Sequence, residues 1–184
     1  MIEKIHSRFL EKDIKWDRFK YQGHGSFGTA FQINKTMVMK ITADKSEMNT
    51  MTIVMKNPSE FIVKVYDTFQ IKIGCNVRYF IIQKLLKCAK RKWALFANDF
   101  IRESDEPLQT RHLNSFKSYI DKNNWKKTEK DIFFQWIKCV CEYFDKHSIR
   151  FHDIHPGNIM RDDAHHVLID LGASRSPKQQ IVRI

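Results

Sequence analysis

Apolar positions along the chain alternate between two periods. Ile5, Phe9, Leu10, Ile14, Trp16 and Phe19 are spaced for a short amphipathic helix followed by a strand. Residues 21–33 read as a β-hairpin with three glycines at its tip. A turn follows at Asn34-Lys35, and Met37-Val38-Met39-Lys40-Ile41 returns as an apolar strand interrupted by one lysine. Residues 44–56 lengthen to a helical period, with an acidic or Ser start, a stripe of Met48, Met51, Val54 and Met55, and a stop at Asn57-Pro58. Residues 61–69 and 78–85 then predict a strand pair turning near Gly74-Cys75-Asn76, which completes a sheet of about five strands around one helix.

The second half is mainly helical in pattern. Residues 86–127 are polar and basic, with Trp93, Leu95, Phe96, Phe100, Ile101, Phe116, Tyr119 and Ile120 in two expected helices around Glu106-Pro107. A core helix starts at Thr128, carries Ile132, Phe133, Trp136, Ile137, Val140, Cys141 and Phe144 at the 3.6 period, and has Thr128 and Asp131 as a capping pair. A loop at 151–158, a short strand and a second acidic turn at Asp170 follow.

Composition narrows the class. The 184 residues are 42% hydrophobic and 12% aromatic, enough for one compact domain or two small lobes. No apolar run is long enough to span a membrane, and the first residues lack the apolar stretch of a signal peptide, so no membrane partner is expected. Cys75, Cys88, Cys139 and Cys141 lack C-x-x-C spacing and read as reduced thiols in an intracellular, cytoplasmic setting. A net charge of +11 favours anionic partners: an acidic protein surface, a nucleotide or, with no recognisable reading motif to support it, nucleic acid.

Chemistry concentrates in three places. Gly23, Gly25 and Gly28 let backbone N–H groups approach an anion closely, so the hairpin tip suits phosphates. A dinucleotide-binding turn would lead directly into a helix, and here a strand follows instead. Asp153 and Asn158, five apart in a tight loop, face one small volume that Asp170 reaches from the end of an apolar strand. Such oxygen donors suit Mg²⁺. His152-x-x-His155, with His147, His165 and His166, lacks a thiolate or regular ligand spacing and makes a poor metal site.

Gly23-x-Gly25-x-x-Gly28, Lys40, Asp153-x-x-x-x-Asn158 and Asp170-Leu171-Gly172, in this order, resemble the eukaryotic-type protein kinase superfamily over residues 17–175. The resemblance implies an α+β, bilobal fold in one kinase-like domain over residues 1–184. An N-lobe over residues 1–85 would hold a five-stranded antiparallel sheet with one helix, and a truncated, mainly helical C-lobe would fill residues 86–184. It implies that the backbone of Gly23, Gly25, Ser26, Phe27 and Gly28 covers the ATP phosphates. Ala30 and Val38 would line the adenine pocket, and Lys40 would contact the α and β phosphates. Glu47, the only carboxylate in the body of its helix, would pair with Lys40. Ile82 would gate the back of the pocket, and the backbone of Gln83 to Leu85 would bond the adenine. Asp170 and Asn158 would hold Mg²⁺, and Asp153 would take the acceptor's proton.

The sequence also departs from that family. Phe151-His152-Asp153 stands where His-Arg-Asp is usual, so the arginine that reads a phosphorylated activation loop is missing. Asp153-Ile154-His155-Pro156-Gly157-Asn158 is similar to the loop of aminoglycoside phosphotransferases. Only 12 residues follow Gly172, which leaves no activation segment and resembles minimal kinases of pathogens and viruses. The resulting expectation is a minimal serine/threonine protein kinase that uses ATP and Mg²⁺ and meets a docked protein substrate or activating partner. A small-molecule kinase and a pseudokinase acting as a binding module are the alternatives.

Overall fold

A computed structural model describes residues 1–24, 28–89, 108–122, 124–151, 156–163 and 165–173. The chain divides into two compact units, one of Met1–Pro58 with Val63–Leu86, the other of Ser59–Ile62 with the chain from Lys87 onward.

The first unit is built on a five-stranded antiparallel sheet. Its strands are β1 (Lys20–His24), β2 (Gly28–Gln32), β3 (Met37–Thr42), β4 (Val65–Ile73) and β5 (Asn76–Lys84), in the order β1-β2-β3-β5-β4. Helix α1 (Ile2–Glu11) covers one face of the sheet and α2 (Lys45–Lys56) interacts with the other. The β4–β5 hairpin closes through Gly74-Cys75, and Gly74 has φ +59° at the first central position, the conformation a type II′ turn requires there. Its strands differ from the expected limits. β4 starts only at Val65, because Phe61 and Ile62 belong to the second unit, where Ile62 bridges to Leu168 and Phe61 O accepts from Leu168 N–H at 2.9 Å.

Helix α1 stops without a glycine. Asp13 takes φ +50°, Ile14 N–H donates to Phe9 O at 2.8 Å, and Asp13 N–H donates to Leu10 O at 3.2 Å. This is a Schellman end, and its accompanying apolar contact is Phe9 with Ile14, both in one cluster with Ile5, Ile33, Met39, Ile71, Phe80 and Ile82. Arg8 reaches from the same helix to Asp67, with Nε to Oδ2 at 2.7 Å and Nη2 to Oδ1 at 2.9 Å. Asp67 is buried, so the paired geometry is what lets the carboxylate sit there, and its hydrogen bonds raise the Arg8 pKa further. Between α1 and the sheet lies a mainly apolar cavity of about 150 Å³ bounded in part by Ile5, His6, Trp16, Phe19 and Met39.

Helix α2 is capped as its start suggests, with Asp44 accepting from Ser46 N–H at 2.7 Å. Its buried face is Glu47, Thr50, Met51 and Val54. Met48 and Met55 lie at the flanks, so the methionine stripe is corrected to a partly polar one.

In the second unit, α3 (Leu113–Lys122) buries Phe116 and Ile120, and α4 (Lys127–Lys146) buries Phe133, Trp136, Ile137, Val140, Cys141 and Phe144. Ile132 is 61% exposed and leaves the expected core set. The helix begins one residue early, with Lys126 at the cap and no side-chain cap bond, so the Thr128–Asp131 pair does not form the cap. Burial pushes the Tyr143 phenol up to about 12 and raises the thiols of Cys139 and Cys141. α4 ends like α1: Ser148 has φ +54°, Ile149 N–H donates to Phe144 O at 2.8 Å, and Ser148 N–H donates to Asp145 O at 3.1 Å. A small antiparallel sheet, β6 (Lys87–Cys88), β7 (Ile159–Asp162) and β8 (His165–Leu168), completes this unit. Of the two helices expected around Glu106-Pro107, the second is α3, and the first falls largely on residues 90–107, outside the described residues.

Candidate functional site

Strand pairing decides which side chains share a face. In antiparallel strands, directly opposed residues project to the same side. Ala30 opposes Lys40, which opposes Ile81, and Gln32 opposes Val38, which opposes Gln83. Ala30, Val38, Lys40 and Gln83 therefore stand on one face, together with Thr42. The alternate residues Phe31, Met39, Ile41, Phe80 and Ile82 pack toward α1.

That register moves one expected position. Ile82 opposes Met39 and is fully buried in the cluster with Phe9 and Ile33, so it faces away from Lys40 and cannot gate anything on the lysine's side. The side chain of β5 that ends the lysine's face is Gln83. The backbone beyond it is also partly engaged: Lys84 N–H donates to Lys64 O at 2.9 Å and Leu85 N–H to Thr36 O at 2.7 Å. Neither amide hydrogen is open to a ligand, which corrects the expectation for the donors of Lys84 and Leu85.

Lys40 meets Glu47 across this face. Its Nζ lies 2.6 Å from Glu47 Oε1, with the lysine 9% exposed and the glutamate fully buried. α2 is fixed there by its Asp44 cap and by Thr52 Oγ1, which lies 2.9 Å from Thr68 Oγ1 on β4. The pair leaves an ammonium group held in place with little room to wander, which suits the contact of one point charge with an anion.

At the hairpin, Gly28 has a packing role of its own. A Cβ there would come within 2.4 Å of Ile41 O, so only glycine lets β2 run this close to β3. Gly23 sits where β1 shifts register against β2, a local bulge. Gly25, Ser26 and Phe27 lie outside the described residues.

In the second unit, Phe151 is buried and its carbonyl accepts from Leu108 N–H at 2.9 Å. Asp153, with His152 and His155, lies outside the described residues. The chain continues through a 3₁₀ turn at Pro156–Asn158 into the β7–β8 hairpin. Asn158 is 3% exposed, and its backbone carbonyl accepts from Ile169 N–H at 2.8 Å, which ties it to the residue before Asp170. Asp170 takes φ +53°, a conformation Asp tolerates better than most residues and one that turns the chain sharply at the end of the strand. Trp136 Nε1 donates to His166 O at 2.8 Å and so anchors this hairpin to α4, a role its place in an apolar stripe did not reveal.

Among the described residues no three His, Cys, Asp or Glu side chains gather into a metal-holding group. The amide oxygen of Asn158 and the carboxylate of Asp170 would offer a hard, incomplete donor set of the kind that suits Mg²⁺, which keeps several waters and completes its shell with substrate phosphates.

The five-stranded sheet carrying a buried lysine–glutamate pair, with the Asn158–Asp170 hairpin in the second unit, defines a protein-kinase-like fold. A solved structure similar to this chain is that of the Cydia pomonella granulovirus kinase PK-1, at 16% identity and a TM-score of 0.52. The match covers 95% of this chain and 60% of the kinase's. The chain thus spans about three-fifths of the length of that kinase. No protein-family model matches the sequence, and no curated protein matches it. Among the described residues no helix is long and apolar enough to cross a membrane.

Proposed function

We propose that the chain is an ATP- and Mg²⁺-dependent phosphotransferase that acts on serine or threonine of a protein substrate. The observation that carries this reading is the Lys40–Glu47 ion pair at 2.6 Å, a cation fixed on the face that also holds Ala30 and Val38. A buried ion pair is a poor device for stability alone, since apolar residues of similar volume do as well or better. Its retention here is explained by an anion that Lys40 meets in function.

Lys40 would hold the α and β phosphates of ATP, and the Gly23–Gly28 tip would lie over them. Asn158 and Asp170 would hold Mg²⁺, which supplies charge neutralisation at the phosphates when bound. Asp153 would accept the proton of the acceptor hydroxyl. Positioning and electrostatics supply most of the rate enhancement in such a site. A protein acceptor is supported by the Asp170-Leu171-Gly172 turn and by the kinase-like fold. The excess of positive charge favours an acidic substrate surface or activating partner, met in the cytoplasm of a cell or of a virus's host.

The test incubates the purified chain with γ-labelled ATP and Mg²⁺, with and without cell extract, beside Asp153→Ala. Labelled protein bands that disappear in the variant are expected. Label confined to small molecules would replace the protein acceptor with a metabolite, and ATP binding without any transfer would leave a pseudokinase.

A further inference from the structure

Gln83 occupies an unusual place. It ends the buried run of β5, is 8% exposed, and stands opposite Val38 on one side and Val65 on the other. Its Oε1 is enclosed and has no hydrogen-bond partner among the described residues. The nearest backbone donors along the chain are taken, because Lys84 N–H and Leu85 N–H bond to Lys64 O and Thr36 O. A buried amide oxygen left without a donor is unfavourable, and native structures rarely keep one without a reason. An apolar side chain of similar length would fill the same space without that penalty.

The missing donor can come from a ligand on the same face. Gln83 shares that face with Lys40 and stands directly opposite Val38, two residues before Lys40 on β3. If Lys40 holds the phosphates, the base lies toward Val38 and Gln83. Purines differ there in hydrogen-bond sense: a 6-amino group donates and a 6-oxo group accepts. We propose that Gln83 is a specificity-determining residue whose side-chain carbonyl reads position 6 of the purine and selects 6-amino over 6-oxo nucleotides. The proposal rests on the nucleotide-binding reading of the Lys40 face and adds to it the choice of base.

Calorimetric titration of the full chain with Mg·ATP and Mg·ITP tests this, since the two bases differ at position 6. Backbone contacts to the purine edge also discriminate, so the readout is the change in the ATP:ITP affinity ratio on substitution. ATP is expected to bind more tightly to the wild type, and Gln83→Met is expected to shrink the ratio on the order of tenfold. Gln83→Leu provides a second apolar variant should the first fold poorly, with melting curves recorded for both. An equal affinity of the wild type for the two nucleotides, or an unchanged ratio in a folded variant that still binds ATP, overturns the role of Gln83 and leaves the nucleotide site standing. No binding of either nucleotide by the wild type overturns both.

Discussion

On one face of the five-stranded sheet, Phe31, Met39, Ile41, Phe80 and Ile82 lie under α1 with Phe9 and Ile14. On the other, the same strands present Lys40, Thr42 and Gln83, and Lys40 pairs with Glu47 of α2. Both faces are buried, yet only the first is built as a core. Phe69 and Phe80 stack at 4.9 Å there, and the Arg8–Asp67 ion pair binds the helix to the sheet. The second face keeps a charged pair and an amide oxygen with no partner among the described residues, where apolar residues would be more favourable. The contrast separates residues that hold the fold together from residues that the fold holds in place.

On the proposed function, the largest effect should come from Asp170 of the second unit. Asp170→Asn keeps a side chain that tolerates positive φ but removes the charge, so phosphoryl transfer should fall at least about a hundredfold while the melting midpoint stays near that of the wild type. Transfer assays beside thermal melting check both halves, and a collapse of the melt instead would make Asp170 a folding residue. Next, Lys40→Met leaves Glu47 buried without its cation and should cost about 3–5 kcal/mol in urea unfolding. Adding Glu47→Leu should recover most of that loss of stability and none of the ATP binding. Recovery of binding would show that the pair is structural only. On the opposite face, Phe9→Ala should cost about 3–4 kcal/mol by the same unfolding measurement. The affinity of the folded protein for ATP should not change, and a weaker affinity would erase the distinction between the two faces.

The Lys40–Glu47 pair could be read before the fold was known because its signals are local. One lysine on an apolar strand and one glutamate in the body of the following helix identify themselves by type and spacing. Gln83 was harder to place for a physical reason. Phe80, Ile81 and Ile82 are buried on both sides of the sheet, so alternation along β5 carries no sign of which face is which, and only pairing with β3 supplies it. The two helix ends were hidden too. Asp13 and Ser148 adopt the left-handed conformation usually given to glycine, and what holds them there is the contact of Phe9 with the Ile14 turn and of Phe144 with the Ile149 turn. Ile132 misled because a helix stripe wider than the surface it meets leaves one edge in water. Phe61 and Ile62 read as strand by composition, but their partner is Leu168, more than a hundred residues away.

The Arg8–Asp67 clamp has a consequence for the order of events when the chain folds. Its two ends are separated by 59 residues, whereas β4 and β5 are joined by two. Closing a short hairpin is fast and loses little chain entropy, so the β4–β5 ribbon is expected to form early and α1 to dock on it late. Substitution of Arg8 by alanine should then accelerate unfolding and leave the refolding limb of a chevron plot nearly in place. A slowed refolding limb would put the first helix in the folding nucleus. On the expected order, the segment nearest the amino terminus acts as the closing bolt of a sheet assembled mostly without it.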